Sequence, residues 1–435
     1  MALSRRNFLI LTGVSATGVV LAAPLQRLYA RVREGKSLSG KGFGPLVPDP
    51  QGLFDLPSGF QYRAFSKTGE MMNDGTPVPG AHDGMGAFPG EFGTTILVRN
   101  HELNGASTSA VMASELQKYD PLSTGGTTTL IVGADRQLID HRVSLAGTSR
   151  NCGGGTTPWG SWISCEEDVT TTEFNKPGNP LNVSKKHGYN FEVSHKGGAR
   201  DSPVPLVAMG RFNHEAIAVD PQTGIVYQTE DREDSCFYRF IPKEYGKLQS
   251  GGVLEALVIK GMGKVNTSLN FPVGEPKGVE WVPIEEVDPE KDTLRYEAQA
   301  KGAAVFKRGE GICYGNGEIY FVCTSGGKAG KGQVFRYNPA QNTIELYVES
   351  PGAGVLDYPD NIVMAPFGDL ILCEDGVGEQ FLVGVNTQGE LYKLGRNALN
   401  TSELAGVCFA PDGKTMFVNI QKPGITLAIW GPWGS

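Results

Sequence analysis

Four segments of this chain share one layout: an acid, a short apolar strand, a tight turn and a second strand. Glu215-Ala-Ile-Ala-Val-Asp-Pro-Gln-Thr-Gly-Ile-Val-Tyr-Gln-Thr-Glu230-Asp231 shows it in full. Glu310 to Ser325, Asp360 to Asp375 and Glu403 to Asn419 repeat it, the second of these restoring a closing acid pair. Two looser copies lie upstream, from Asp83 to Glu102 and from Ser149 to Asp168, the latter with Cys152 where the acid stands. Self-similar hairpins spaced by about 45 to 95 residues are the mark of radially repeated sheets. The reading is all-β: a six-bladed β-propeller with insertions between blades.

In a propeller the first strands of the blades surround a central channel, so residues at equivalent strand starts converge at one mouth. Asp83, Cys152, Glu215, Glu310, Asp360 and Glu403 then form one ring. Carboxylates crowded together repel and lose solvation unless cations neutralise them. The ring therefore predicts metal: hard oxygen ligands suit calcium, manganese or ferric iron, and one thiol among them points to a transition metal. Arg150 and Arg308 each stand two residues before a ring member, a spacing that puts both side chains on one face of a strand. A guanidinium beside a metal cluster suits bidentate binding of phosphate. His82, His101 and His214 also fall at motif positions, and His214, adjacent to Glu215, is expected to face away from the ring. Neither a Ser-His-Asp order nor a GxxxxGK[ST] loop is present.

Composition agrees with many short strands and turns: 59 glycines and 27 prolines in 435 residues, with 9% aromatics. A net charge of −8 argues against nucleic-acid binding and for sites that attract cations. The seven cysteines are dispersed without a CxxC pair, which argues against a zinc ribbon or a thioredoxin motif. Residues 1–30 read as a twin-arginine export signal, Ser4-Arg5-Arg6-Asn7-Phe8-Leu9 followed by a weakly apolar run. Cleavage after Ala23 or Ala30 fits equally. The twin-arginine translocase is the expected partner during export to the periplasm or beyond, and no further stretch is long and apolar enough to span a membrane. Residues 31–435 then form one propeller unit, expected to act as a monomer. Arg31 to Pro57 reads as an extended arm, and approximately 251–301 as an insertion capping one face.

Taken in order, several motifs resemble the PhoX-type alkaline phosphatases: Arg5-Arg6, His82-Asp83-Gly84-Met85, Arg99-Asn100-His101-Glu102, Asn151-Cys152-Gly153-Gly154, Thr157-Pro158-Trp159-Gly160, Cys165-Glu166-Glu167-Asp168, Glu230-Asp231, Arg308-Gly309-Glu310-Gly311 and Cys373-Glu374-Asp375-Gly376. The resemblance implies a six-bladed propeller holding two ferric ions and three calcium ions around a bridging oxide, which hydrolyses phosphate monoesters with that oxide or a metal-bound hydroxide as nucleophile. It implies that Cys152 bridges the irons, that Glu215 and Glu310 bind iron and that Arg308 touches the phosphate. Calcium ligands carry over to Glu166, Glu167, Asp231, Asp360, Glu374 and Asp375. Two other readings remain: a calcium-dependent propeller lactonase or phosphotriesterase, which needs no thiol, and a non-enzymatic calcium-stabilised binding propeller.

Overall fold

The computed structural model describes residues 42–196 and 203–433. The twin-arginine segment lies outside them. The architecture is all-β and propeller-like. Six strands, His82–Pro89, Asn151–Thr156, His214–Val219, Gly309–Gly315, Pro359–Met364 and Leu404–Phe409, lie side by side around a central channel. Each pairs antiparallel with the strand that follows it: Thr95–His101, Ser161–Glu166, Val226–Glu230, Glu318–Cys323, Leu370–Glu374 and Thr415–Ile420. The repeats of the sequence are these hairpins. Apolar residues between the sheets form the core, as where Phe237 stacks on Phe321 with ring centres 4.3 Å apart.

The last sheet is closed by the beginning of the chain. Gln61–Phe65 pairs with Ile425–Trp430, in register from Phe65 against Thr426 to Gln61 against Trp430. Joining the two ends in one sheet ties the ring shut without a covalent link. Residues 31–41 of the expected arm lie outside the described residues; in the rest of it, Phe54–Pro57 adds to the outer strand Leu391–Asn397 and buries Phe54 and Leu56.

Hydrogen bonding does not divide the strands into six separate blades, as the repeats predicted. Among the described residues it groups them into five sheets, one of them nine-stranded. The cause is the segment expected as a capping insertion. Its apolar run forms the strand Gly252–Ile259, and Lys277–Pro283 pairs with that strand on one side and with Thr343–Glu349 on the other. Turns and loops over residues 260–276 and 284–293 and the short helix Leu294–Ala300 make up the rest of that segment. Val279, Trp281 and Val282 are β-formers, so the connection adopts strand rather than loop.

Glycine sets how closely three pairs of neighbouring inner strands approach. A methyl group on Gly84 would lie 2.6 Å from the Cys152 carbonyl oxygen, and one on Gly153 2.6 Å from that of Glu215. Gly311 stands in the same relation to Asp360, at 2.4 Å. Each glycine sits one residue after a ring member and faces the backbone carrying the next. The contact is backbone to backbone, so no side chain can yield to make room. Gly153→Ala should therefore push the Cys152 and Glu215 strands apart. We expect about a hundredfold lower turnover in folded protein, the cost of roughly 1 Å of misplacement in a reacting centre; turnover within twofold of wild type would refute the close-approach role.

Candidate metal centre

In all six hairpins the pairing slips by one residue near the start of the inner strand: between His82 and Met85, Asn151 and Gly154, His214 and Ile217, Gly309 and Ile312, Pro359 and Ile362, and Ala405 and Cys408. A bulge re-aims the side chain it carries. In the first five hairpins that side chain belongs to Asp83, Cys152, Glu215, Glu310 and Asp360, and all five line one pocket of about 140 Å³. In the sixth the residue after the paired Ala405 is Gly406, which has no side chain to offer, and Glu403, just ahead of the strand, enters the pocket instead.

The partner strands supply a second ring. Pairing opposes His82 to His101, Asn151 to Glu166, His214 to Glu230 and Pro359 to Glu374. The residue after each of these partners, Glu102, Glu167, Asp231 and Asp375, reaches the pocket. Neighbours on an extended backbone point opposite ways, so the first member of each pair turns into the sheet. Two expected metal ligands are thereby placed outside the pocket. Glu166 is fully buried, accepting hydrogen bonds from the Ser149 and Gly188 amides at 3.0 and 2.9 Å, with its Oε1 2.6 Å from His187 Nδ1. Glu374 accepts from the Asp357 and Phe381 amides and from Lys393 Nζ at 2.9 Å. Both buckle loops to strands.

The expected residues that do meet in the pocket are Cys152, Glu215, Glu310, Glu167, Asp231, Asp360, Asp375, Arg150 and Arg308. Glu102 belongs with them and was not among the expected ligands, although its position after His101 matches that of Glu167 after Glu166. No histidine lines the pocket. His214 packs on Phe212 and bonds the Gly210 carbonyl, facing away as expected, while His101 bonds Gly80 and Thr128.

Nine carboxylates and one thiol against two guanidinium groups leave a strong excess of negative charge. Burial first, then neighbouring carboxylates, raises the ionisation of Asp83, Glu215, Glu310 and Asp360 well above the ordinary range. Burial brings Glu167 to about 7 despite Arg150 beside it. The Cys152 thiol is held protonated by burial and by Glu102 and Glu167, and donates to Glu167 Oε2 at 2.9 Å.

Arg150 and Arg308 both adopt left-handed backbone, φ 47° and 52°, immediately before an inner strand. That conformation is unfavourable for arginine. Carboxylates fix each guanidinium by one edge: Arg308 Nε and Nη2 bond Asp231 at 2.9 and 3.2 Å, and Nη2 bonds Glu310 at 2.8 Å. Arg150 Nε and Nη2 bond Glu102 at 3.1 and 2.8 Å, and Nη2 reaches Glu167 at 2.5 Å. Burial opposes both charges, but the surrounding acids keep both arginines protonated.

The donor set fits metal cations. Three groups of ligand atoms lie within 4.8 Å of one another: Asp83, Glu102 and Cys152; Cys152, Glu167 and Glu215; Glu215, Glu310 and Asp360. They form a chain in which Cys152 and Glu215 are each shared by two groups. Glu215 Oε1 is buried without a hydrogen-bond partner, and an orphaned buried carboxylate oxygen calls for a cation.

Among solved structures, the fold is similar to that of Pseudomonas fluorescens PhoX in complex with vanadate, a transition state analogue. That match has a TM-score of 0.68 at 18% identity and covers 91% of this chain and 98% of that one. A gluconolactonase from Xanthomonas campestris is more distant, with a TM-score of 0.46 and 11% identity over 89% of this chain and 98% of its own. No curated protein matches the sequence. The model of the alkaline phosphatase PhoX family matches residues 41–142 and 133–424, which take in both rings of the pocket, and the chain belongs to that family.

Proposed function

We propose that the pocket binds metal cations and hydrolyses phosphate monoesters. The observation that carries this reading is the chain of three ligand groups sharing Cys152 and Glu215, with two pinned arginines beside it. Cys152, Glu215, Glu310, Glu167 and Asp360, together with Asp83 and Glu102, would hold the cations; Asp231 and Asp375 complete the wall. We assign the complement as two ferric and three calcium ions. Bound there, cations supply Lewis acidity and charge neutralisation to the phosphoryl group.

The chain's own residues do the rest. Arg308 and Arg150 spend Nε and Nη2 on carboxylates, and for neither does Nη1 make a hydrogen bond among the described residues. Each keeps Nη1 for phosphate oxygens, held in place before substrate arrives, so orientation costs little at the moment of reaction. The carboxylate wall rejects a free anion unless cations are present, which couples phosphate binding to metal loading. In this reading the propeller counts six blades, the nine-stranded sheet being two joined through Lys277–Pro283. The protein leaves the cytoplasm through its Arg5-Arg6 segment. Among the described residues no helix is long and apolar enough to cross a membrane.

The test is p-nitrophenyl phosphate hydrolysis at alkaline pH by natively exported protein. Turnover should vanish with a calcium chelator and return with calcium. Arg308→Ala should lower kcat/KM by about a hundredfold or more, the size of effect seen on removing one preorganised donor, with metal content unchanged. Metal-loaded protein without turnover would refute the phosphatase, and an Arg308→Ala variant as active as wild type would remove the arginine from it.

A further inference from the structure

Beside the acidic pocket lies a second one of about 420 Å³, lined by Asp375, Asn400, Thr401, Ser402, Glu403, Gln421 and Lys422. The two share Asp375 and Glu403, so they are compartments of one cleft. Gln421 joins them: its Nε2 donates to Asp83 Oδ2 at 3.2 Å and to Glu102 Oε2 at 2.9 Å, inside the metal-binding ring. Loop 400–402 is fixed against the next residue, because Asn400 Nδ2 bonds the Lys422 carbonyl at 2.8 Å and Ser402 Oγ accepts the Lys422 amide at 2.9 Å. The backbone under Lys422 is therefore held, while its side chain is exposed.

Lys422 differs from the two arginines of the site. Both arginines are engaged by carboxylates, whereas the Lys422 ammonium makes no ion pair or hydrogen bond among the described residues. An ester whose phosphate occupies the acidic pocket must place its alcohol part in some adjoining space, and the second pocket adjoins it. Away from the shared acids its lining offers the hydroxyls of Thr401 and Ser402 and the Lys422 ammonium, whose charge is felt at Asp375 but which is paired with no carboxylate among the described residues; its near end is acidic.

We propose that this second pocket is a leaving-group subsite in which Lys422 selects phosphate monoesters whose alcohol part carries a carboxylate. The proposal rests on the phosphomonoesterase reading above and adds a substrate class to it. The near-end acids repel an anion held close to the phosphate, so the preferred carboxylate stands a few bonds away, at the lysine.

Two esters separate charge from shape: 3-phosphoglycerate and glycerol 3-phosphate differ only in carboxylate against hydroxymethyl at the far carbon. Wild type should favour 3-phosphoglycerate in kcat/KM by about tenfold, the worth of one charge-assisted hydrogen bond. Lys422→Ala should abolish the preference, Lys422→Arg should retain it and Lys422→Glu should invert it, all leaving p-nitrophenyl phosphate turnover within about twofold. Wild type without the preference overturns the subsite, and so does a Lys422→Ala loss equal on all three esters. No turnover of any ester by metal-loaded wild type overturns the phosphatase reading itself, and the subsite with it. Lys422 is exposed, so its replacement leaves the core untouched, and the wild-type comparison needs no variant.

Discussion

Replacing Cys152 by serine is expected to abolish hydrolysis of p-nitrophenyl phosphate, by about a thousandfold or more, and to strip transition metal from the purified protein while the fold survives. Cys152 is the only thiol in a pocket of nine carboxylates and two guanidinium groups, and it belongs to two of the three ligand groups. Its removal therefore depletes two positions at once. Without cations the thiol is protonated, held so by burial and by Glu102 and Glu167; only a metal recruits it as thiolate. Serine has nearly the same shape but is a harder and far less acidic donor, so the loss reads ligand chemistry rather than packing. Loss of several kcal/mol of charge stabilisation at the phosphoryl group sets the size of the effect. Metal content and turnover measured on one preparation check it. A serine variant that keeps both transition metal and activity would remove the thiol from the centre and favour a calcium-only propeller hydrolase.

The two rings differ in how far sequence alone exposes them. The inner ring is legible because each member opens a repeat of the hairpin layout, and five of the six ring residues named from the repeats occupy equivalent bulges. The outer ring is only half legible. Alternation along a strand says that Glu166 and Glu167 face opposite ways, as do Glu374 and Asp375, but not which of the two faces the channel. That choice is made by the register of pairing: Asn151 opposes Glu166 and Pro359 opposes Glu374, so the pocket receives the residue beyond each pair. Glu102 follows from the same register, because His82 opposes His101. The joining of two meanders through Lys277–Pro283 depends on contacts with Thr343–Glu349, far along the chain, and no local pattern announces it. The bulges have no sequence signal beyond the glycine that follows Asp83, Cys152 and Glu310.

Metal-free protein is expected to lose stability as pH rises from 5 to 8, and cations are expected to cancel or reverse that loss. For Glu167 the ordinary value is 4.5 and burial, followed by the field of Asp231 and Glu102, lifts it to about 7 despite Arg150. A group whose folded-state ionisation lies above its unfolded value stabilises the fold fully below the unfolded value. That stabilisation disappears as pH climbs through the folded one, here between about 4.5 and 7. The gap corresponds to about 3 kcal/mol from Glu167 alone. Asp83, Glu215, Glu310, Asp360 and Glu403 are shifted in the same direction, chiefly by burial, and they interact, so the total is not a sum of single residues. Against this, metal binding requires deprotonated ligands and strengthens with pH. The Tm of chelated protein should thus fall by several degrees from pH 5 to pH 8, while that of protein saturated with calcium and iron should hold or rise. The difference between the two curves measures how much of the carboxylate repulsion the cations relieve. Burial lowers the ionisation of His82, His101, His141 and His214, which adds stability as pH rises towards their unfolded value in both forms. The test is therefore the gap between the curves: a gap that does not widen from pH 5 to pH 8 would mean that the nine carboxylates are not gathered in one desolvated pocket. The metal centre would then lose its physical basis, because the repulsion that makes cations necessary would be missing.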